Sequence, residues 1–339
     1  MNGKKSPLKL ITVTGPIELS MAGIIDAHNH VWIERVRGIA PEAPIINNRT
    51  LISANLFDYH QADGGSIVDS QPGGCGRDGR VLRGLSETNR VNIVACTGFH
   101  LQKYYPDEFW LFRASSKDAC QHFIYELQDS LEETRELTEV RAGFIKVACE
   151  ETLAKSPLHL IEAAIEASAE TGAAIEVHTE KGINAEWIIE AMIGFGLTYD
   201  RLVLCHMDKR PDFDLHRTFA QEGITLVYDT FLRSKYRPEE NVWPLLECMV
   251  AEGYGSQVAI ATDMADKSRW VRNGINHGLS DFITQIIPRL KELGFNSEVI
   301  QKLVGGNIAS RLAGPFRQLD QYDEDVNAWT SRPTIRYEH

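Results

Sequence analysis

Short apolar runs of four or five residues, many of them β-branched, recur along this chain, and most end in a polar residue. Eight can be placed as strands: GIIDAHN (23–29), GSIVDSQ (65–71), NIVACTG (92–98), GFIKVA (143–148), AAIEVHT (173–179), LVLCHMD (202–208), ITLVYDT (224–230) and VAIATDM (258–264). Their continuous apolar character suits parallel strands covered on both faces. Between them the period changes. LHLIEAAIEASAETG carries apolar residues at helical spacing and stops at Gly172, while HRTFAQEG and VWPLLECMVAEGYG stop near Gly223 and Gly253. Glycine just past the last helical turn is a termination signal. Strand, helix, glycine, strand, repeated, predicts a (β/α)8 TIM barrel. An open doubly wound sheet finds no support, because no GxGxxG follows the first strand.

Three segments fall outside this repeat. Residues 1–22 read as an N-terminal strand pair with TGPIE as its turn, 23–312 as the barrel, and 313–339 as a polar C-terminal tail with scattered aromatics. Residues 31–64, between the first two strands, form a long connection carrying Trp32, Phe57 and Tyr59. Loops of that length are often functional.

Composition narrows the partners. A net charge of −12 argues against nucleic acid and anionic membranes, both of which need clustered Lys and Arg. No apolar run approaches a membrane span, and the N-terminal lysines precede no apolar signal region. The six cysteines form no CxxC pair and read as reduced, structural thiols of a cytoplasmic protein. The expected partner is a small-molecule substrate, with the chain forming a homodimer.

The polar residues at the strand ends carry the chemistry: His28, His30, Lys146, His178, His206 and Asp263. A TIM barrel builds its active site from the C-terminal ends of its strands. His28 and His30 are two apart on one strand, so both imidazoles point the same way and can bind one ion. His178 and His206 come from later strands and can complete a second site. Histidine nitrogen suits zinc, and also cobalt, nickel or manganese. Asp263 can bind metal while accepting a proton from water. Lys146 would point into an apolar barrel mouth, where desolvation lowers an amine's pKa and frees its lone pair. Such an amine can capture carbon dioxide as a carbamate whose oxygens bridge two cations. Singly, each residue is ordinary; the set, in barrel order, predicts a binuclear hydrolytic centre. His60, His122, His159, His216 and His339 read as surface or structural, and His100 and His277 fall near the mouth.

The ordered segments DAHNH, IVDSQPGGCGRD, VACTGF, AGFIKVA, EVHTE, CHMD, ATD and GGNIASRL resemble those of the phosphotriesterase-like branch of the amidohydrolase superfamily. The resemblance implies that His28, His30 and Asp263 hold one divalent ion and His178 and His206 the other. It implies that N6-carboxylated Lys146 bridges the two with a hydroxide, with Asp263 shuttling the proton. Zinc is the expected metal, with manganese or cobalt as alternatives. Members of this branch look mostly like lactonases and carboxylesterases, and triester hydrolysis uses the same parts.

Substrate class is read from the loops. The mouth carries Lys103, Tyr104, Lys181, Lys209, Arg210, Arg233, Lys235, Tyr236, Arg237, Lys267, Arg269 and Arg272 in an acidic protein. Of these, Lys103, Tyr104, Lys209, Arg210, Arg233, Lys235 and Tyr236 are the candidate substrate-binding residues. Arg and Lys pair with carboxylate or phosphate, which favours a lactonase for a polar, sugar-derived, possibly phosphorylated lactone. An organophosphate or carboxyl esterase is the alternative, and a non-catalytic binding barrel a third.

Overall fold

The computed structural model describes residues 8–135, 140–270 and 278–314. Strands β1 (Lys9–Thr12) and β2 (Gly15–Glu18) form an antiparallel pair. TGPIE is not the turn: the chain reverses at Val13 and Thr14, and Gly15–Glu18 is the second strand. The barrel follows as β3 (Ile24–Asn29), β4 (Gly64–Asp69), β5 (Asn92–Gly98), β6 (Ala142–Ala148), β7 (Ile175–His178), β8 (Leu202–Cys205), β9 (Thr225–Tyr228) and β10 (Val258–Ile260). These eight strands pair in chain order, all parallel. The ring closes between its last and first strands, where Asp263 N donates to His28 O at 3.1 Å and Thr262 N to Asp26 Oδ1 at 3.0 Å.

Helices α1 (Arg49–Gln61), α2 (Gly79–Asn89), α3 (Ser116–Gln128), α4 (Leu158–Thr171), α5 (Ala185–Gly194), α6 (Phe213–Gln221) and α7 (Val242–Ala251) each follow one strand. After β10 come α8 (Ile287–Glu292), α9 (Ser297–Gln301) and α10 (Asn307–Leu312). α4 ends where predicted, on Gly172 at φ 81°. The 31–64 segment is not one loop. Its second half is α1, started by Asn48, whose side chain accepts from Leu51 N, and buried along Ile52, Asn55, Leu56 and Tyr59. The C-terminal tail beyond Gly314 lies outside the described residues. No helix among the described residues is long and apolar enough to cross a membrane.

Period-two alternation sorts the strand residues into two layers. Ile67, Ile93, Ile145, Val177, Leu204 and Leu226 pack outward against the helices. Val68, Val94, Phe144, Ala174, Val203 and Val227 fill the barrel axis, which Leu10 and Leu312 close from below. Continuing the inward phase upward places Lys146 two residues past Phe144, and Glu176 and His178 beyond Ala174. Chemistry therefore sits on top of a packed plug, at the end where barrel active sites are built.

One buried ion network holds the β4–α2 side. Arg77 is fully buried and reaches Glu126 at 2.5 Å, Glu133 at 2.8 Å and the Cys96 carbonyl at 2.6 Å. Removing one partner of a buried ion pair leaves a charge without compensation, which costs about 3–5 kcal/mol. Arg77→Met should therefore lower the midpoint of urea unfolding by a corresponding amount. A change below about 1 kcal/mol would show that water replaces the guanidinium.

Candidate metal centre

Each member of the predicted set reaches the barrel mouth, but by different devices. Ile25 and Ala27 face the axis, so strict alternation would turn His28 and His30 outward. The β3–β4 register shifts between Asp26 and Asn29, and such an irregularity re-aims side chains. His206 and Asp263 lie one and three residues beyond β8 and β10, not on the strands as predicted. Both have left-handed backbones, at φ 66° and 46°. Non-glycine residues in that region store strain, typically at functional sites. Gly98 (φ 99°) makes the β5–β6 approach possible, because a Cβ there would lie 1.9 Å from Lys146 O.

The histidines share one hydrogen-bonding scheme. His28 Nδ1 donates to Glu176 Oε1 at 2.8 Å, His30 Nδ1 to Gln71 Oε1 at 2.8 Å, and His206 Nδ1 to Asp229 Oδ2 at 2.5 Å. Each bond fixes the tautomer with an unprotonated Nε2, the form metal-binding histidines present, and that of His206 accepts from His178 Nδ1. Those nitrogens converge. His28 Nε2 lies 3.9 Å and His30 Nε2 4.0 Å from Asp263 Oδ1, and His206 Nε2 lies 3.0 Å from His178 Nδ1. His28 Nε2 is buried without a hydrogen-bond partner. A buried polar atom left unpaired is costly, and a cation would satisfy it. Burial also lowers the pKa of His30, to about 3, and those of His206 and His178, so these rings stay neutral. Neutral imidazole is the form that ligates. His28, His30 and Asp263 are one of the buried groupings with metal-ligand spacing. The donor set fits divalent cations.

Lys146 is fully buried, and its Nζ donates to Glu176 Oε1 at 3.2 Å. Desolvation was expected to lower its pKa. Burial is the largest single influence and pulls it down, but the Glu176 carboxylate and further neighbours together raise it, and the net shift is upward. Lys146 therefore stands as an ammonium held by a buried carboxylate. Asp263 shows the mirror case. Burial pushes its pKa up, yet Arg233, His206 and Lys209 bring it well below the usual carboxylate range.

The rim cations divide. Arg233 lies 2.7 Å and Lys209 3.6 Å from Asp263 Oδ2, and Lys209 also reaches Asp229 at 3.3 Å. Arg210 pairs with Glu186 at 2.8 Å. Lys103 sits over Tyr104 at 5.2 Å and Lys235 over Tyr236 at 4.9 Å. Of the seven candidate substrate contacts, Tyr104 and Lys209 line the cavity above the centre, which has a volume of about 190 Å³. Its outer wall comes from residues 33–45, including Arg35 and Val36, and its floor includes His30, His178, His206 and Asp263. His100 lines it too, and stacks against His30 at 6.2 Å. His277 and Arg272 lie outside the described residues.

Sequence reasoning missed the partners that aim the histidines: Glu176, Gln71 and Asp229. The signal was present. Gln71 and Asp229 end or nearly end the second and seventh apolar runs, and Glu176 precedes His178 by two on the same strand face.

A sequence model of the phosphotriesterase family matches residues 8–311. The chain belongs to the phosphotriesterase family. Within it, the chain is 26% identical over 322 residues to a phospho-furanose lactonase of Mycoplasmopsis synoviae (strain 53), covering 87% of this chain and 89% of that one. It is 23% identical over 340 residues to an N-acetyltaurine hydrolase of Xenopus tropicalis, covering 87% and 95%. A solved lactonase from Listeria monocytogenes superposes with a TM-score of 0.81 at 23% identity, covering 91% of this chain and all of that one. The shared barrel and family membership make this chain a hydrolase.

Proposed function

We propose that this chain is a metal-dependent lactonase that opens a polar, sugar-derived lactone, with an anionic substituent such as phosphate. The observation that carries the reading is the convergence of His28 and His30 Nε2 on Asp263 Oδ1, with His206 and His178 paired beside them at the floor of a small cavity. His28, His30 and Asp263 would hold one divalent cation, His178 and His206 the other, and carboxylated Lys146 would join them. Two such ions, zinc or alternatively manganese or cobalt, would supply a water of lowered pKa and polarise the substrate carbonyl.

The protein's own groups supply the rest. Asp263 accepts the proton of the attacking water and returns it to the ring oxygen as the C–O bond breaks, leaving a hydroxy acid. Tyr104 and Arg35 flank the cavity and would orient the sugar ring and meet an anionic substituent. The apolar part of the 33–45 wall, Val36 and Ile39 among it, limits water at the site. Relatives named as phospho-furanose lactonases support the substrate class.

A pH-indicator assay of the metal-loaded enzyme tests this. The panel holds a phosphorylated sugar lactone, a neutral lactone, an aryl dialkyl phosphate and N-acetyltaurine. The phosphorylated lactone should have the highest kcat/KM. A higher value for the triester or the amide would overturn the reading.

The rim gives a second expected result, and the geometry changes what Arg233 does. Its guanidinium is engaged by Asp263, so Arg233→Ala should lower kcat on neutral and anionic lactones alike. Arg35→Ala should weaken only the anionic one, by roughly tenfold, the lower value of a charge-assisted hydrogen bond, because Arg35 lines the cavity whereas Lys235 does not. Equal kcat/KM losses on both substrates in Arg35→Ala would make that arginine structural.

A further inference from the structure

Glu176 belongs to neither predicted metal site, yet it touches members of both halves of the centre. It lies on β7 directly beside Lys146 in the β6–β7 register, and it is fully buried. Its Oε1 accepts three bonds, from Ser70 Oγ at 2.7 Å, His28 Nδ1 at 2.8 Å and Lys146 Nζ at 3.2 Å. Its Oε2 is buried with no partner. Asp229 and Gln71, by contrast, each aim one histidine.

We infer that Glu176 is a positioning residue for both halves of the centre, orienting His28 and holding the nitrogen of Lys146 before and after carboxylation. This rests on the carboxylated-lysine reading above. Carboxylation needs carbon dioxide. The ammonium first releases one proton to solvent. The nitrogen lone pair then forms the N–C bond as one C=O π pair moves onto oxygen, and a second proton leaves the nitrogen to solvent. The product is a carbamate with one remaining N–H and a charge of −1.

That N–H is the reason for Glu176. Conjugation removes the carbamate nitrogen's basicity, so the nitrogen becomes a donor only and needs an acceptor in a buried site. Glu176 Oε1 already stands at hydrogen-bond distance from Nζ. The same contact that pairs the ammonium therefore receives the carbamate N–H and turns the new carboxyl group away from Glu176, toward the histidines. His28 is fixed by the same oxygen, so one rigid strand residue sets the relation between a ligand of one cation and the bridge between both. Carboxylates behind ligating groups typically contribute 10- to 100-fold to metal affinity.

The alternative is that Glu176 is itself a ligand, since His28, Glu176 and Cys205 have metal-ligand spacing. Against that, His28 Nδ1 is spent on Glu176 Oε1, the same oxygen that Ser70 and Lys146 reach.

The test compares wild type, Glu176→Gln and Glu176→Asp. The readouts are zinc affinity by chelator competition, bound metal per chain, and the carbamate signal in ¹³C NMR after loading with ¹³C-bicarbonate. Glu176→Gln should bind zinc 10- to 100-fold more weakly and lose most of the carbamate signal, with partial recovery in Glu176→Asp. If Glu176→Gln does not fold, Ser70→Ala decides, because it removes the hydroxyl that fixes Oε1; a several-fold weaker affinity is expected there. A carbamate signal and zinc affinity equal to wild type in these variants would overturn the positioning role alone. A wild-type enzyme with two bound metals and no carbamate signal would overturn the carboxylated-lysine reading and this role with it. Loss of a third metal equivalent in Glu176→Gln would make the trio a cation site instead, against the inference.

Discussion

Asp263→Asn should keep most of its bound metal and lose about 10²- to 10⁴-fold in kcat, the usual contribution of a positioned acid–base group. The substitution is nearly isosteric, so the amide oxygen can replace one carboxylate oxygen toward a cation. It cannot take a proton from water and return it to a leaving oxygen. Asp263 is also the acceptor on which Arg233 and Lys209 are held, at 2.7 and 3.6 Å. The amide weakens that hold, so some loss will come from displaced cations. The pH dependence separates the two effects. Loss of the proton acceptor removes the acidic limb of the kcat–pH profile, whereas displaced cations raise KM for anionic substrates and leave that limb in place. Turnover near wild type with two metals bound would mean that another group carries the proton.

The strand-end rule recovered the barrel and the direction of the site because it rests on a strong physical constraint. A parallel strand buried on both faces must be apolar until it leaves the core, so its first polar inward residue marks the mouth. Lys146 obeys that rule on β6, whereas on β7 the first polar inward residue is Glu176 and His178 follows it by two on the same face. His206 and Asp263 lie past their strands, with left-handed backbones, and still sit at the floor of the cavity. No residue pattern announced those conformations: neither position is glycine.

What stayed hidden depends on contacts between distant segments. Asp229 ends the apolar run ITLVY, just as His206 follows LVLC, yet only pairing across β8 and β9 shows that it aims His206. The charge of Lys146 was misjudged for the same reason. Burial alone predicts a depressed pKa, but Glu176, in register on the next strand, is the foremost of several neighbours that together reverse the sign. For the rim cations, sequence cannot show that Arg233, Lys209 and Arg210 already face carboxylates. The cavity wall at 33–45 was legible only as an unusually long connection, and the α1 half of that connection was missed. Its buried stripe includes Asn55, a polar residue in an apolar position, which blurs the helical period.

Lys146→Ala should bind less than one equivalent of metal and lose nearly all activity, with partial recovery on adding formate or acetate. The side chain is fully buried between β5 and β7, so its removal leaves a space that solvent does not reach directly. A small carboxylate placed there restores the bridging charge, though not the covalent tether. The same substitution strips Glu176 of its ammonium partner, 3.2 Å away, and leaves a buried carboxylate without a cation, held by Ser70 and His28 alone. That should cost the metal-free protein about 3–5 kcal/mol. Activity loss could then be mistaken for unfolding. The double variant Lys146→Ala, Glu176→Gln removes both charges and should regain most of the stability of the metal-free protein, as matched removal of a buried pair often does. It should regain neither metal nor turnover. Urea unfolding of the metal-free proteins, beside metal content and formate rescue of the loaded ones, therefore tests the two duties of Lys146 separately. Two tightly bound equivalents and wild-type turnover in Lys146→Ala would remove the lysine from the metal centre. Failure of the double variant to regain stability would show that the 3.2 Å contact with Glu176 is not what holds the metal-free site together.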